Sequence, residues 1–220
     1  MSTGGNRDSR EKAMMRSILF SASSVTSCSK YFLFPLRLSC LRGLTSSVRS
    51  MSSVSHLRKR LDAPPATFDL PGIAVRNIEV TTDVASWLKL RQRAIAWLKP
   101  AARSWTEDDF QAEMASKSWW HAEHTWLAVA DEVREPRLVG SVTLAARETS
   151  TETIPVVHWL LVDPVHRRRG IGRLLISHLE QAVWQAGWQE VQLETHVRWT
   201  AAAAFYHSIG YEPLRAPSPR

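Results

Sequence analysis

The chain has 220 residues and only two cysteines, Cys28 and Cys40, and no cysteine lies beyond position 61. Residues 62–220 therefore offer no disulfide, no thiolate metal cluster and no cysteine nucleophile. Acidic side chains are missing elsewhere: Lys12 to Leu61 contains none. Residues 1–61 carry 11 Lys and Arg against 2 acids, and residues 62–220 carry 17 against 19, so the formal net charge of +7 belongs to the first segment. A basic balance suggests nucleic acid or an anionic membrane. Here that inference reaches at most residues 1–61, and no nucleic-acid partner is expected for the rest. The apolar run Tyr31 to Leu38 is too short to span a bilayer and is broken by Pro35 and Arg37, so no membrane span is expected.

Three readings of the Ser- and Arg-rich residues 1–61 stay open. They can be an organelle-targeting peptide, a disordered tail, or translated sequence ahead of the true start, since Met51 precedes "SSVSHLRKRLDAPPATFDLPG". The location expected is cytoplasmic, with organelle targeting through residues 1–61 as the other option. From Val54 to Gly72, with Pro64, Pro65 and Pro71, the composition is that of a linker. The boundaries drawn are an extension over 1–61, a linker over 62–72 and one domain over 73–220. All ten tryptophans follow residue 86, which puts the core in that domain.

No internal repeat is present. "IAVRNIEV" (Ile73–Val80) predicts a strand. Thr82 or Asp83 can cap a helix closing near Pro100, with Val84, Trp87, Leu88, Arg91, Ile95 and Leu98 at helical spacing. Thr106 and Asp109 form a capping box for a helix near Glu107–Lys117. "TWLAVAD" and "LVGSVTLAAR" predict a hairpin, and the apolar "VVHWLLVD" predicts a central strand covered on both faces. The helix after Gly170 presents Ile171, Leu174, Leu175, Leu179, Ala182, Val183 and Ala186, and Gly187 ends it. "QEVQLETHV" alternates, with Val191, Leu193, Thr195 and Val197 on one face and Gln192, Glu194 and His196 on the other. "TAAAAFYHSI" is a short helix stopped by Gly210. The order implies an α/β domain with a mixed sheet.

The densest signal is "VDPVHRRRGIGRLLISHLEQAVWQAG". A helix start leaves backbone N–H groups unpaired and carries partial positive charge. Glycines at 170 and 172 let an anion approach the main chain, and Arg167, Arg168, Arg169 and Arg173 add donors. Such a turn suits the phosphates of a nucleotide-bearing cofactor. The dinucleotide fingerprint lacks its third glycine, because position 175 is Leu, and the P-loop lacks its Lys-Ser/Thr after Gly172. A solvated basic turn remains the alternative.

"LLVDPVHRRRGIGRLLISHLE" resembles the coenzyme A-binding motif of the GNAT acetyltransferases, and "VQLETHVRWTAAAAFYHSIGYEP" resembles that family's closing strand–helix unit. The resemblance is specific from about Val156 to Tyr211 and rests on element order alone before Thr153. It implies a mixed, mostly antiparallel central sheet flanked by helices. The pantetheine arm would then lie along Leu160, Leu161 and Val162, and the diphosphate on Arg168, Arg169, Gly170, Ile171, Gly172 and Arg173. Acetyl-CoA is the implied co-substrate, and no metal is expected.

The chemistry sets its own demands. A primary amine, with a pKa of about 10, must lose a proton before attacking a thioester, the oxyanion needs a donor, and the leaving thiolate benefits from an acid. Without a cysteine in the domain, direct transfer in a ternary complex is expected. Tyr206 matches the family's acid, or it is a tyrosine at the edge of the core. Glu194 matches the base of the similar ribosomal-protein alanine acetyltransferases, or it is a carboxylate paired with an arginine. His158, on the central strand, can take a proton or be a hydrogen-bonded core histidine, and His196 shares Glu194's face. His121 and His124 flank Ala-Glu without enough partners for a metal.

Arg198, Trp199 and Thr200 stand where the family often has a coenzyme-contacting Asn. The chain ends nine residues after Tyr211, before the family's usual final pair of strands, so either the sheet is short or a second subunit, in a homodimer, completes it. Trp97, Trp105, Trp119, Trp120 and Trp126 form core or an apolar acceptor pocket, and Asp108, Asp109 and Glu113 attract an amine or simply begin a helix. The function expected is acetyl transfer to a primary amine, on a small molecule or a protein N-terminus. The alternatives are a non-catalytic acyl-CoA-binding module and a basic interaction protein acting through residues 1–61.

Overall fold

In the computed structural model the residues described are 54–96, 103–132, 135–150 and 152–214. Seven strands form one sheet. They are β1 (Val54–Arg60), β2 (Ile73–Asn77), β3 (Thr125–Ala130), β4 (Arg137–Glu148), β5 (Thr153–Val162), β6 (Glu190–His196) and β7 (Glu212–Pro213), ordered β2-β3-β4-β5-β6-β1-β7. The β5–β6 pair is parallel and every other pair is antiparallel. Among the described residues the helices are α1 (Val80–Ala96), α2 (Glu107–Phe110, continued by a π-turn over Gln111–Ala115), α3 (Ile171–Gln185) and α4 (Thr200–Ser208).

The sheet has two apolar faces. Ile171, Leu175 and Leu179 of α3 pack with Val142, Leu144, Val157, Val191 and Leu193 on one side. Trp87 and Leu90 of α1, with Phe110 and Met114, pack with Leu127 and Leu161 on the other. β5 is central, as its continuous apolar run implied. The buried face of α1 is Val84, Trp87, Leu90, Arg91 and Ala94, with Asp83. Leu88 and Ile95 are only half-buried, and Trp97 to Pro100 lie outside the described residues. The capping box of α2 is present, with both Thr106 and Asp109 bonds made. Asp83 does not start α1, which begins at Val80. Its carboxylate accepts from the Glu79 N–H and from Arg76 at 2.6 and 2.8 Å.

One correction concerns Val54–Arg60. This stretch, assigned by composition to the extension and to the start of the linker, is strand β1, inserted between β6 and β7. Leu57 and Leu61 are buried, at 2 and 3 % exposed. Lys59 Nζ donates to Glu180 of α3 at 2.8 Å, and Arg58 pairs with Glu190 at 3.4 Å. The sheet beyond β6 is thus continued by the chain's own upstream segment and by the two-residue β7. Residues 1–53 lie outside the described residues.

Candidate active site

The site begins with an irregularity in β5. Ser141 pairs with Leu161 but Thr143 pairs with His158, so a single β4 residue, Val142, faces both Trp159 and Leu160. Trp159 takes the left-handed conformation (φ 48°) to accommodate the extra residue. Such a bulge bends its strand and leaves backbone groups unpaired. Pairing with β6 ends at Val157–Leu193, and no β6 residue pairs with Leu160, Leu161 or Val162 among the described residues. A cleft therefore opens between two parallel strands, with the main chain of those three residues along one wall.

At the end of β5, Asp163 caps the turn Pro164–His166. Arg168 (φ 63°) and Gly170 (φ 87°) are both left-handed, an arrangement that collects N–H groups into an anion-binding concavity. The first helical bond of α3 runs from Leu174 N–H to Gly170 O at 2.9 Å. The amides of Ile171, Gly172 and Arg173 precede it and have no intrahelical acceptor. Arg168, Arg169 and Arg173 are exposed beside them. Arg167 is not part of this set: it donates to Ala94 O, at the end of α1, at 2.9 Å.

The two glycines have a second reason for being there. A Cβ on Gly172 would stand 3.2 Å from Phe205 of α4, and one on Gly170 would stand 3.2 Å from Leu70 and 3.4 Å from Phe68. Their bare faces are filled by the protein's own side chains. The helix-end amides, rather than those faces, are what a ligand can use. Phe68 also lies under Arg173, 5.1 Å from its guanidinium carbon.

His158 and Glu194 follow the last parallel pair, one on each strand, and so flank the opening of the cleft. His158 stacks edge-on with Trp119 at 4.8 Å and with Trp159 at 5.5 Å. Burial pushes its pKa down to about 4, so it is neutral at pH 7. Glu194 accepts from Arg147 at 3.0 Å and lies 3.5 Å from Nδ1 of His56. His196 accepts from the Arg198 N–H through Nδ1, with its ring 5.9 Å from Trp199. Tyr206 is buried against Phe205 and Tyr211, and burial drives its phenol well above the usual range, which keeps it protonated.

His56 was missed by sequence reasoning. Its position on β1 opposite Glu194, across β6 from the cleft, brings its Nδ1 to 3.5 Å from that carboxylate. The only local signal is the alternation of Leu57 and Leu61 with His56 and Arg58. The tryptophans divide. Trp105, Trp120 and Trp159 surround Trp87 and Phe110, Trp119 meets His158, and Trp126 packs toward the α3 side. Asp109 is held by Arg103 through two bonds of 2.6 Å and by the Thr106 N–H, so it serves its helix start. His121 and His124 stack at 5.6 Å, and no group of three metal-ligating side chains occurs among the described residues. No helix there is long and apolar enough to cross a membrane.

The family profile described as acetyltransferase (GNAT) family matches residues 91–211. The mycothiol acetyltransferase of Kocuria rhizophila is 30 % identical over 179 residues, covering 80 % of this chain and 58 % of that protein. The same enzyme of Nocardia farcinica is 26 % identical over 168 residues, with shares of 76 and 54 %. The chain thus spans little more than half the length of these curated relatives. Among solved structures, a GCN5-related N-acetyltransferase from Sphaerobacter thermophilus has a TM-score of 0.56 at 21 % identity, covering 73 % of this chain and 48 % of that one. An acetyltransferase from Streptococcus agalactiae has a TM-score of 0.53 at 18 % identity, with shares of 69 and 90 %. These two likenesses concern the fold. With more than half of its residues inside the matched profile, this chain belongs to the GNAT acetyltransferase family.

Proposed function

We propose that the protein binds acetyl-CoA with its diphosphate on the first-turn amides of α3 and its pantetheine along Leu160–Val162, and transfers the acetyl group directly to a primary amine. The observation that carries this reading is the coincidence of two features at the ends of one strand. β5 loses its β6 partner at a bulge, and it ends in a left-handed arginine–glycine turn. A main chain without a partner accepts an extended amide-bearing arm as it would a strand. The mycothiol acetyltransferase relatives support acetyl transfer as the activity.

Tyr206, kept protonated by burial, is the acid for the leaving thiolate. Of the two groups at the cleft mouth, His158 is a weak proton acceptor, because its surroundings disfavour the imidazolium. The Glu194–His56 pair is better placed: the carboxylate sits at Nδ1, which leaves Nε2 to take the amine's proton. Arg147 holds the carboxylate from the other side.

The test is thermal shift with coenzyme A, followed by thiol release from acetyl-CoA across a broad amine panel. Tyr206→Phe should lose about 100-fold in kcat, the scale of general acid catalysis, with coenzyme A binding retained. Coenzyme A binding without acetylation of any amine would make the protein a non-catalytic acyl-CoA-binding module. The absence of both would overturn the reading.

A further inference from the structure

Seven buried side-chain polar atoms have no hydrogen-bond partner among the described residues, and three of them lie in one place: Arg91 Nε, Trp120 Nε1 and Trp159 Nε1. All three are donors, and their side chains join the aromatic cluster around Trp87 and Phe110. Buried polar groups are almost always paired. Three unpaired side-chain donors, with no unpaired side-chain acceptor in the cluster among the described residues, describe a place short of a side-chain acceptor.

Arg91 sharpens the point. It is 7 % exposed. Its guanidinium carbon stands 3.6 Å from the centre of the Trp105 ring and 5.1 Å from that of Trp159, and it has no ion pair among the described residues. Stacking on indole compensates part of the lost hydration but accepts none of the N–H groups. Asp109, the acid whose charge acts on Arg91, is already gripped by Arg103 and Thr106. A buried cation without its anion is expensive. Trp159 adds position, because it is the bulge residue beside His158, at the mouth of the β5–β6 cleft.

We propose that Arg91 and the Trp159 indole N–H bind a carboxylate carried by the acceptor, so that the acceptors are amino acids or similar amino carboxylates rather than plain amines. This rests on the acetyltransferase reading above. A carboxylate fits better than a phosphate for two reasons. It matches the planar guanidinium fork, and the single unpaired buried charge balances one negative charge. Arg103, the other cation that acts on Arg91, is taken by Asp109.

The test compares matched acceptors on the full chain with acetyl-CoA: glycine against glycinamide, and phenylalanine against phenylalaninamide, with rates referred to the neutral amine. Wild type should favour the free acids by at least about 30-fold in kcat/KM, the ratio that corresponds to the cost of leaving a buried donor unsatisfied. Arg91→Met should erase that preference, read as the ratio of acid to amide kcat/KM within the one variant. Equal use of acids and amides by wild type, or an equal loss of both in Arg91→Met, overturns the proposal. If Arg91→Met does not fold, Arg91→Lys keeps the charge without the fork and should reduce the preference, and an undiminished preference counts against it.

A readout independent of turnover separates the two proposals. N-acetylglycine, and not N-acetylglycinamide, should raise the melting temperature of wild type in the presence of coenzyme A. That shift without acetylation of any acceptor removes the enzymatic reading and keeps the anion site. Acetylation without acid preference does the reverse.

Discussion

Gly140, Gly170 and Gly172 differ in what holds each one as glycine. Gly170 has positive φ, whereas Gly140 and Gly172 are set by space. A Cβ on Gly140 would stand 2.8 Å from Ile171 Cγ2 and 2.9 Å from Leu175 Cδ1, because α3 lies directly on β4 there. Gly140→Ala should destabilise by about 1–3 kcal/mol, the usual cost of overpacking, read as a lower urea midpoint. His158 supplies a pH signature. Its pKa in the fold is about 4, against 6.5 when free, so below pH 6.5 the unfolded chain binds more protons. The corresponding stability is complete above pH 6.5 and is lost as pH falls toward 4. His124 is shifted in the same direction by burial. Melting at pH 7.5 and at pH 5 should therefore show a smaller loss for His158→Gln than for wild type, but not a loss of zero. An identical loss in both would mean that His158 is already hydrated in the fold.

Among the elements, β1 was the hardest to foresee. Seven residues, four of them His, Arg or Lys, followed by Pro64 and Pro65, read locally as a linker. What makes them a strand is a partner about 130 residues away, with Leu57 opposite Leu193 and His56 opposite Glu194. The capping box at Thr106–Asp109 was legible for the opposite reason, since both of its bonds close within three residues. Leu57→Ala should cost about 3 kcal/mol, within the range for a buried leucine. A chain begun at Met51 should melt cooperatively, and one begun at Asp62 should lose that cooperativity. The shorter chain lacks the strand that covers β6 and leaves Glu180, 4 % exposed, without Lys59. Equal melting of the two chains would show that β1 adds nothing to the sheet.

At the scale of the whole molecule, Asp163 ties α1 to β4 and to the turn that follows β5. Its side chain is 1 % exposed and accepts from Arg93 of α1 at 2.8 Å, from Arg137 of β4 at 3.1 Å and from the Val165 N–H. Burial alone would raise its pKa, but the hydrogen bonds and the two cations outweigh burial and hold it below 3.8. The stability this provides is complete above pH 3.8 and is lost as pH falls through the folded value. Arg93 and Arg137 are 37 and 40 % exposed and stay hydrated without Asp163, so Asp163→Ala should cost about 1–2 kcal/mol at pH 7, chiefly for the lost hydrogen bonds. In circular dichroism, the variant should lose the part of the acid transition that titrates below pH 3.8.

By itself the sequence determined what neighbouring residues settle among themselves. It specified a mixed α/β order, the apolar stripe of α3, the alternation of β6 and an arginine–glycine turn with free helix-end amides. These depend on periodicity and on local backbone geometry, which short-range contacts decide. Only the tertiary structure decided that an upstream strand would cover β6, that His56 would meet Glu194, and that Arg91 would be buried with no carboxylate paired to it among the described residues. Those facts depend on which distant surfaces exclude water together, and no window of adjacent residues carries that information.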